Sequence, residues 1–172
     1  MIRNATLTDL DAVVSIYDAI HYREEAGLST TGWVRSVYPT RSTAKAAIEA
    51  GDLFVMEENG QVIAAARINQ IQGAEYARAN WSQDVASCKV MVLHTLVVSP
   101  DMAGTGCGTC FVRFYEEYAA RRGCPFLRMD TNERNMAARA LYRNLGYREV
   151  GIVPCIFNGI DGVRLVCLEK IL

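Results

Sequence analysis

The 172-residue chain lacks the features that define several large classes of protein. Basic and acidic residues number 18 and 19, so the excess of positive charge typical of nucleic-acid-binding domains is missing. Its apolar stretches are short, and "VMVLHTLVV" is about half of a membrane span. The first residues lack the basic region and apolar segment of a signal peptide. These absences predict one cytoplasmic domain, residues 1–172, with neither nucleic acid nor a membrane as partner.

The six cysteines favour neither disulfides nor a metal site, because a reducing cytoplasm keeps thiols reduced. Cys107 and Cys110 form a C-x-x-C pair at a predicted helix start. That context superficially fits a thioredoxin-like redox motif, but the i, i+3 spacing also serves simple helix packing, which the sequence favours. A structural zinc site would need a second pair. The other cysteines are isolated in the sequence: Cys88, Cys124, Cys155 and Cys167. We therefore predict no bound metal.

Periodic apolar residues predict an alternation of helices and strands. Helices are predicted over 9–24, 41–50, 107–122 and 133–145, and strands over 2–6, 88–98, 126–131, 148–150 and 163–170. Thr8 is predicted to cap the first helix, with Asp11 three residues later. Asn59-Gly60, between two apolar runs, predicts a hairpin. Because hairpins require antiparallel strands, we expect a mixed α/β sheet with helices on both faces, not a regular βαβ repeat.

A glycine-rich segment, "VVSPDMAGTGCGT", joins a predicted strand to a predicted helix. Gly104, Gly106 and Gly108 alternate where the helix must start. The unpaired amides at a helix start can bind an anion such as a phosphate. A tight turn that needs glycine only for its backbone dihedrals is an equal alternative. The loop has neither the lysine of a Walker loop nor the G-x-G-x-x-G spacing of a dinucleotide fingerprint, so both of these sites are excluded.

A second motif follows on the predicted helix over 133–145, where the sequence reads N-x-x-A-x-x-L-Y-x-x-L-G-Y from Asn135 to Tyr147. Together with "LVVSPDMAGTGCG", it resembles the GNAT-type N-acetyltransferase superfamily, whose members carry an R/Q-x-x-G-x-G/A loop and an N-x-x-A-x-x-L-Y-x-x-x-G-F/Y helix. The resemblance covers residues 52–150 strongly and the remainder loosely. It implies a central, mostly antiparallel sheet that splays between strands 4 and 5, with helices on both faces.

The resemblance also implies acetyl-CoA as cosubstrate, with its pantetheine arm along the fourth strand and its pyrophosphate on the glycine-rich loop. The residues implied to bind it are Leu96, Val97, Val98, Gly104, Thr105, Gly106, Cys107, Gly108, Thr109, Asn132 and Asn135. Asn132 is equally suited to cap the following helix. Ala103 stands where the family usually has Arg or Gln, which lowers the expected affinity but leaves the amide-rich loop intact.

Tyr142 matches the family tyrosine that protonates the leaving thiolate, although its spacing alone would make it a core residue. His94 is the best candidate base, because an imidazole titrates near neutral pH. Strand alternation predicts that it shares a face with Val92, Leu96 and Val98. A buried, hydrogen-bonded histidine is the alternative.

Glu58, at the end of the predicted hairpin, and Asp130, late in the predicted fifth strand, are reserve candidates for the base. His21 is predicted to be a surface residue near the end of the first helix and is assigned no role.

The predicted function is transfer of an acetyl group from acetyl-CoA to a primary amine of a small molecule or peptide, by direct attack. A non-catalytic acyl-CoA-binding module is the alternative. The predicted acceptor site comprises the first helix and two aromatic-containing loops, 25–40 (Trp33, Tyr38) and 70–87 (Tyr76, Trp81). Residues 1–100 have eight basic and eleven acidic side chains, which mildly favours a cationic amine. Homodimer formation, common in this fold, stays open.

Overall fold

A computed structural model describes residues 1–172. Seven strands form one sheet: β1 (Ile2–Asn4), β2 (Leu53–Glu58), β3 (Gln61–Asn69), β4 (Val90–Val98), β5 (Phe126–Asn132), β6 (Arg148–Phe157) and β7 (Ile160–Ile171). Four helices pack on it: α1 (Leu10–Glu25), α2 (Arg41–Glu49), α3 (Cys107–Arg121) and α4 (Met136–Asn144). The strand order is β1-β2-β3-β4-β5-β7-β6, and only β4 and β5 are parallel neighbours. The predicted mixed, mostly antiparallel α/β sheet is confirmed. None of the helices combines the length and apolar character needed to cross a membrane.

Helices cover both faces of the sheet because each presents one apolar stripe. In α3, Phe111, Tyr115 and Ala119 recur every four residues and pack, fully buried, on one face of the sheet. Helix α4 packs beside it through Tyr142. On the opposite face, α1 and α2 cover β2 and β3, and residues 74–85 cover β6 and β7. The face covered by α3 and α4 is called the α3 face below, and the other the α1 face.

The parallel pairing of β4 and β5 stops halfway along both strands. Its last pair is Leu93 with Met129, yet β4 continues to Val98 and β5 to Asn132. The two strands therefore separate and leave a cleft in the middle of the sheet. The predicted splay between strands 4 and 5 is confirmed.

A bulge in β4 turns the strand over inside this cleft. Arg67 of β3 pairs with His94 and Ala65 pairs with Val97, so both Thr95 and Leu96 stand opposite Ala66. Thr95 has φ 52°, a left-handed conformation unusual for a β-branched residue.

The bulge reverses the alternation of side chains. Val92 packs on the α1 face with Val90, whereas Leu96 and Val98 pack against the core of the α3 face. The prediction that His94 shares a face with Leu96 and Val98 is wrong; it shares a face with Val92 only.

The start of α1 is capped two residues earlier than the sequence predicted. Thr6 and Asp9 form the capping box, and the Asp9 carboxylate accepts a hydrogen bond of 2.8 Å from the Thr6 amide. Arg3 binds the same carboxylate and that of Glu57, each at 2.8 Å. The cluster ties the first strand to the start of α1 and to β2. The predicted cap at Thr8 is wrong, because Thr8 lies within the short 3-10 turn Leu7–Asp9.

His21 is buried, with 2% of its surface exposed, so its prediction as a surface residue is wrong. Its Nε2 lies 3.0 Å from the carbonyl oxygen of Pro39. The ring packs beside Trp33, 6.5 Å away between centroids. His21 therefore helps to fix the connection between α1 and α2.

Candidate active site

A cavity of about 300 Å³ lies where β4 and β5 separate. Its walls come from the connection between α1 and α2, from β3, β4, β5 and α4, and from the turn between β6 and β7. Eight residues that the sequence analysis singled out line it: Trp33, Tyr38, His94, Leu96, Asp130, Asn132, Asn135 and Tyr142. Segments far apart in the chain thus bring the candidate acids and bases into one space.

Three ionisable side chains on neighbouring strands line this cavity. Arg67 and His94 are direct partners across β3 and β4. Because Leu93 pairs with Met129, the following residues His94 and Asp130 stand at the same level of β4 and β5. Arg67, His94 and Asp130 therefore form a row across the mouth of the cleft. The arginine had no predicted role, although a charged residue after the apolar run "VIAAA" was a signal.

Asp130 is a carboxylate whose proton affinity is tuned toward neutral pH. Its Oδ2 accepts a hydrogen bond of 2.7 Å from the Tyr76 hydroxyl. Burial raises the pKa of Asp130 to about 6, the nearby Glu75 carboxylate adds to the increase, and the Tyr76 hydrogen bond opposes it. At neutral pH the group is an anion that can accept a proton.

His94 is held in one tautomer by its neighbours. Its Nε2 lies 3.0 Å from Oδ1 of Asn69. The Asn69 amide nitrogen donates to Asp52 at 2.8 Å and its Oδ1 accepts from the Ile71 amide at 2.9 Å, which fixes the orientation of the amide. Nε2 must then donate, so Nδ1 retains the lone pair. Burial and the positive charge of Arg67 lower the pKa of His94 to about 4, so the ring is neutral at pH 7.

Tyr142 reaches the cavity from α4. Its ring is buried and stands edge to face with Tyr147, 6.1 Å away between centroids. Burial and the negative charge of Asp130 raise the pKa of the Tyr142 hydroxyl well above its ordinary value. The phenol therefore stays protonated at neutral pH and can act as a proton donor.

The glycine-rich loop reaches α3 through two left-handed residues. Gly104 has φ 78° and Gly106, directly before the helix, has φ 89°. The first amide bonded within the helix is that of Cys110, which donates to the Gly106 carbonyl at 2.9 Å. The amides of Cys107, Gly108 and Thr109 have no backbone acceptor. These unpaired donors suit the phosphate groups of the implied cosubstrate.

The third glycine of the loop serves packing. A Cβ atom at Gly108 would lie 3.1 Å from Cδ2 of Leu141, so the absence of a side chain lets α3 approach α4 closely. Ala103 continues the preceding turn, and its amide donates to the Pro100 carbonyl at 3.1 Å. The turn that precedes the loop is therefore intact despite the departure from the family pattern.

The helix cap suggested for Asn132 is provided by Asn135. Asn135 caps α4, with its Oδ1 accepting from the Ala138 amide at 3.2 Å. Asn132 accepts from the Arg134 amide at 3.0 Å and does not cap the helix, which begins at Met136. Both line the cavity, where either could contact a bound cosubstrate.

Of the four aromatic residues predicted for an acceptor site, Trp33 and Tyr38 line the cavity. Tyr76 is buried and acts through its hydrogen bond to Asp130. Trp81 packs on Tyr76, 5.1 Å away between ring centroids, and Cζ of Arg128 lies over the Trp81 ring, 4.1 Å from its centroid. Trp81 therefore supports Tyr76 from behind and does not itself line the cavity.

Glu58 and the C-x-x-C pair lie away from the cavity. Glu58 is exposed at the β2–β3 turn, opposite Gln61. Cys107 lies with its Sγ 3.1 Å from the Thr105 hydroxyl, and Cys110 is exposed on α3. Glu75, by contrast, lines the cavity without having been singled out in the sequence.

Comparison with known proteins places the chain among acetyltransferases. A family model described as the acetyltransferase (GNAT) family matches residues 16–147. An uncharacterized N-acetyltransferase of Methanocaldococcus jannaschii is 26% identical over 159 residues, which are 88% of this chain and 62% of the relative. The chain thus spans less than two thirds of that relative's length.

Solved structures share the fold. An acetyltransferase of the GNAT family from Streptococcus agalactiae superposes with a TM-score of 0.83 at 24% identity, covering 100% of this chain and 95% of the other. The Salmonella typhimurium protein yncA, solved with its cofactor acetyl-CoA, superposes with a TM-score of 0.71 at 21% identity, covering 100% and 93%. Because the family model spans well over half of the sequence, the chain belongs to the acetyltransferase (GNAT) family.

Proposed function

We propose that this protein transfers an acetyl group from acetyl-CoA to a primary amine within a ternary complex, in the cytoplasm. The observation that carries the proposal is the cavity at the open end of the β4–β5 cleft. Asp130 on β5, as proton acceptor, and Tyr142 on α4, as proton donor, both line this cavity.

The cosubstrate would bind along two features of the chain. The unpaired amides of Cys107, Gly108 and Thr109 would receive phosphate oxygens. The edge of β4 that no longer pairs with β5, at Leu96 to Val98, would bind the pantetheine arm as a further strand does. Family membership and the acetyl-CoA bound to yncA support this placement.

The chemistry needs two protons removed from the acceptor nitrogen and one delivered to the sulfur of the leaving group. Asp130 would take a proton from the acceptor ammonium, whose freed nitrogen attacks the thioester carbonyl carbon. A backbone amide on the open edge of β4 would stabilise the oxyanion. The carbon–sulfur bond then breaks, and Tyr142 gives its proton to the departing thiolate. The acetylated nitrogen loses its second proton, which restores the Tyr142 hydroxyl. The products are the N-acetylated amine and CoA.

Asp130 replaces His94 as the proposed base. A general base works best when its pKa lies near the operating pH. The pKa of Asp130 is about 6, whereas that of His94 is about 4. The carboxylate also carries the negative charge that attracts an ammonium group. His94 remains in the cavity wall as a neutral neighbour.

The pH dependence of kcat/KM separates the two bases. With Asp130 as base, activity rises with pH through about 6, and His94→Gln keeps this limb. A limb near pH 4 that disappears in His94→Gln would return the role to His94.

The proposal is tested by amine-dependent release of free CoA, with the acetylated amine identified by mass spectrometry. Binding of acetyl-CoA without turnover across a broad amine panel would instead indicate a non-catalytic acyl-CoA-binding module.

A further inference from the structure

The connection between α1 and α2 forms a roof over the cavity, defined as residues 31–38. Trp33 and Tyr38 of the roof face the cavity. The Tyr38 hydroxyl is hydrogen-bonded to the Thr95 hydroxyl in the bulge of β4. Val37 meets the turn between β6 and β7, where its Cγ1 lies 3.4 Å from the position of a Cβ on Gly159. The roof thus contacts the bulge of β4 through Tyr38 and the β6–β7 turn through Val37.

The other end of the roof is fastened by a carboxylate of α1. Glu24 accepts hydrogen bonds from the amides of Thr31 and Gly32, at 2.8 and 3.0 Å. Gly32 packs directly on the Asn132 side chain, so that a side chain at this position would collide with it. The cavity of about 300 Å³ is at the lower end of the range for ligand pockets. A compact acceptor fits beneath this roof.

The charges inside the cavity are unbalanced. Arg67 is neutralised by Asp52, whose Oδ2 lies 3.2 Å from its Nη2. Two carboxylates that line the same space, Asp130 and Glu75, form no ion pair with any basic side chain. Asp130 receives only the neutral Tyr76 hydroxyl. A ligand in this cavity therefore meets two uncompensated negative charges.

Glu75 has a defined place in the wall. Its Oε2 lies 2.8 Å from the position of a Cβ on Gly73, so the side chain folds over a glycine that leaves room for it. Cε2 of Phe157, from the β6–β7 hairpin, lies 4.0 Å from the same position. Glu75 directly precedes Tyr76, the hydrogen-bond partner of Asp130, and the two carboxylates are close enough for Glu75 to raise the pKa of Asp130.

We propose that the acceptor is a compact aliphatic diamine, with its reacting nitrogen at Asp130 and its second, ammonium end held by Glu75. This inference rests on the proposed function. The second ammonium group of a diamine compensates the negative charge of Glu75, which a monoamine would leave unpaired. A charge-assisted hydrogen bond to Glu75 then fixes the position of that ammonium group. An amino acid is disfavoured because its carboxylate would enter an already negative cavity whose arginine is engaged by Asp52. Glu75 is therefore assigned as a specificity-determining residue.

Three acceptors with four carbon atoms each test the charge at the distal end: 1,4-diaminobutane, butylamine and 4-aminobutyrate. We expect kcat/KM for the diamine to exceed that for butylamine by about tenfold or more, and 4-aminobutyrate to be the poorest. An alanine-initiated hexapeptide should be acetylated no faster than butylamine. Equal or higher kcat/KM for butylamine, 4-aminobutyrate or the peptide would overturn the proposal.

The Glu75→Gln variant tests the residue. It should lower kcat/KM for the diamine about tenfold, mainly through KM, while butylamine changes little. Glu49→Gln, on the exposed end of α2, serves as the matched control and should leave both values unchanged. A folded Glu75→Gln variant that still prefers the diamine would overturn the assignment of Glu75. The comparison of the three acceptors with the wild-type enzyme does not depend on this variant. Absence of CoA release with every acceptor would instead count against the proposed function.

Discussion

The Tyr76 hydroxyl donates a hydrogen bond of 2.7 Å to Oδ2 of Asp130. Tyr76 is itself fixed, because the indole nitrogen of Trp81 donates to its carbonyl oxygen at 2.7 Å. The bond engages one carboxylate oxygen and leaves the other to face the cavity. It also opposes the increase that burial causes in the pKa of Asp130. A buried residue that does not line the cavity thus sets both the orientation and the basicity of the proposed base.

Replacement of Tyr76 by Phe removes this hydrogen bond while keeping the ring. Because the bond favours the ionised carboxylate, its loss should move the pKa of Asp130 above about 6. The acid limb of the kcat/KM profile should therefore shift to higher pH, with kcat on the alkaline plateau less affected. A limb at the wild-type position in Tyr76→Phe would show that the bond does not tune the base.

Asp130→Asn should stabilise the fold at high pH. The folded pKa of about 6 exceeds the ordinary value of 3.8, so the folded state binds the proton more tightly. Stability is consequently lost as pH rises from about 4 to about 6, and the ionised group costs on the order of 1–3 kcal/mol above that window.

The Asn variant has no charge to bury, and Tyr76 can still donate to its amide oxygen. Its free energy of unfolding should exceed that of the wild type at pH 8 and approach it at pH 4, as measured by urea denaturation. An identical difference at both pH values would contradict the shifted pKa.

Gly106→Ala should weaken acetyl-CoA binding beyond its effect on folding. Gly106 has φ 89°, where an alanine is strained by about 1 kcal/mol. The strain is relieved by moving the unpaired amides of the first turn of α3, which are the proposed phosphate site. Calorimetry should show a larger dissociation constant for acetyl-CoA.

Gly123→Ala is the control for this variant. Gly123 follows the other end of α3 with φ 68°, and a Cβ there meets nothing within 4 Å. The same backbone cost should then appear in the thermal melt without a change in acetyl-CoA affinity. Equal affinity losses in both variants would exclude a specific role for the loop.

Asp9 should contribute to stability in a pH-dependent way. The hydrogen bond from Arg3 holds the pKa of Asp9 at about 2, below its ordinary 3.8. The unfolded state therefore binds the proton more tightly, and the stabilisation present above pH 4 is lost as pH falls to about 2. Asp9→Asn should lower the free energy of unfolding by about 1–2 kcal/mol at pH 7 and much less at pH 2.

Asp11 offers a matched comparison two residues away. Its side chain is 84% exposed and pairs with Arg41 on the surface. Asp11→Asn should change stability by no more than about 0.5 kcal/mol at either pH. Comparable losses in the two variants would contradict the assignment of the capping box to Thr6 and Asp9.

Local patterns in the sequence were sufficient for most helices and strands but not for the length of the last hairpin. Asn59-Gly60 correctly predicted the β2–β3 turn. The same dipeptide at Asn158-Gly159 joins β6 to β7, and both of its residues have positive φ. Gly151 and Pro154 interrupt the apolar pattern before it, so the pattern predicts only a short strand over 148–150. The extra residues of this hairpin supply one wall of the cavity.

The sequence of β4 alone does not predict the bulge at Thr95. The run "VMVLHTLVV" is apolar except for the adjacent His94 and Thr95, and no glycine or proline interrupts it. The irregularity arises from pairing with Ala66 of β3, and Tyr38 from the roof bonds the displaced residue. Both are contacts between distant segments. The face on which Leu96 lies was consequently mispredicted.

The motifs identified Tyr142 and the glycine-rich loop, whereas the charged wall of the cavity was only partly anticipated. Asp130 was a reserve candidate because its strand position was recognisable. Arg67 and Glu75 belong to no recognisable motif. Their proximity to Asp130 depends on strand register and on the course of residues 70–89 across the sheet. Sequence spacing contains neither quantity.

The most direct test of the account compares amine-dependent CoA release by the wild type and Tyr142→Phe, with acetyl-CoA affinity measured on the same preparations. Loss of the proton donor should lower kcat by about 10²–10⁴-fold while the dissociation constant for acetyl-CoA changes by less than about threefold. An unchanged kcat in Tyr142→Phe, or no amine-dependent release by the wild type, would contradict acetyl transfer at the β4–β5 cleft.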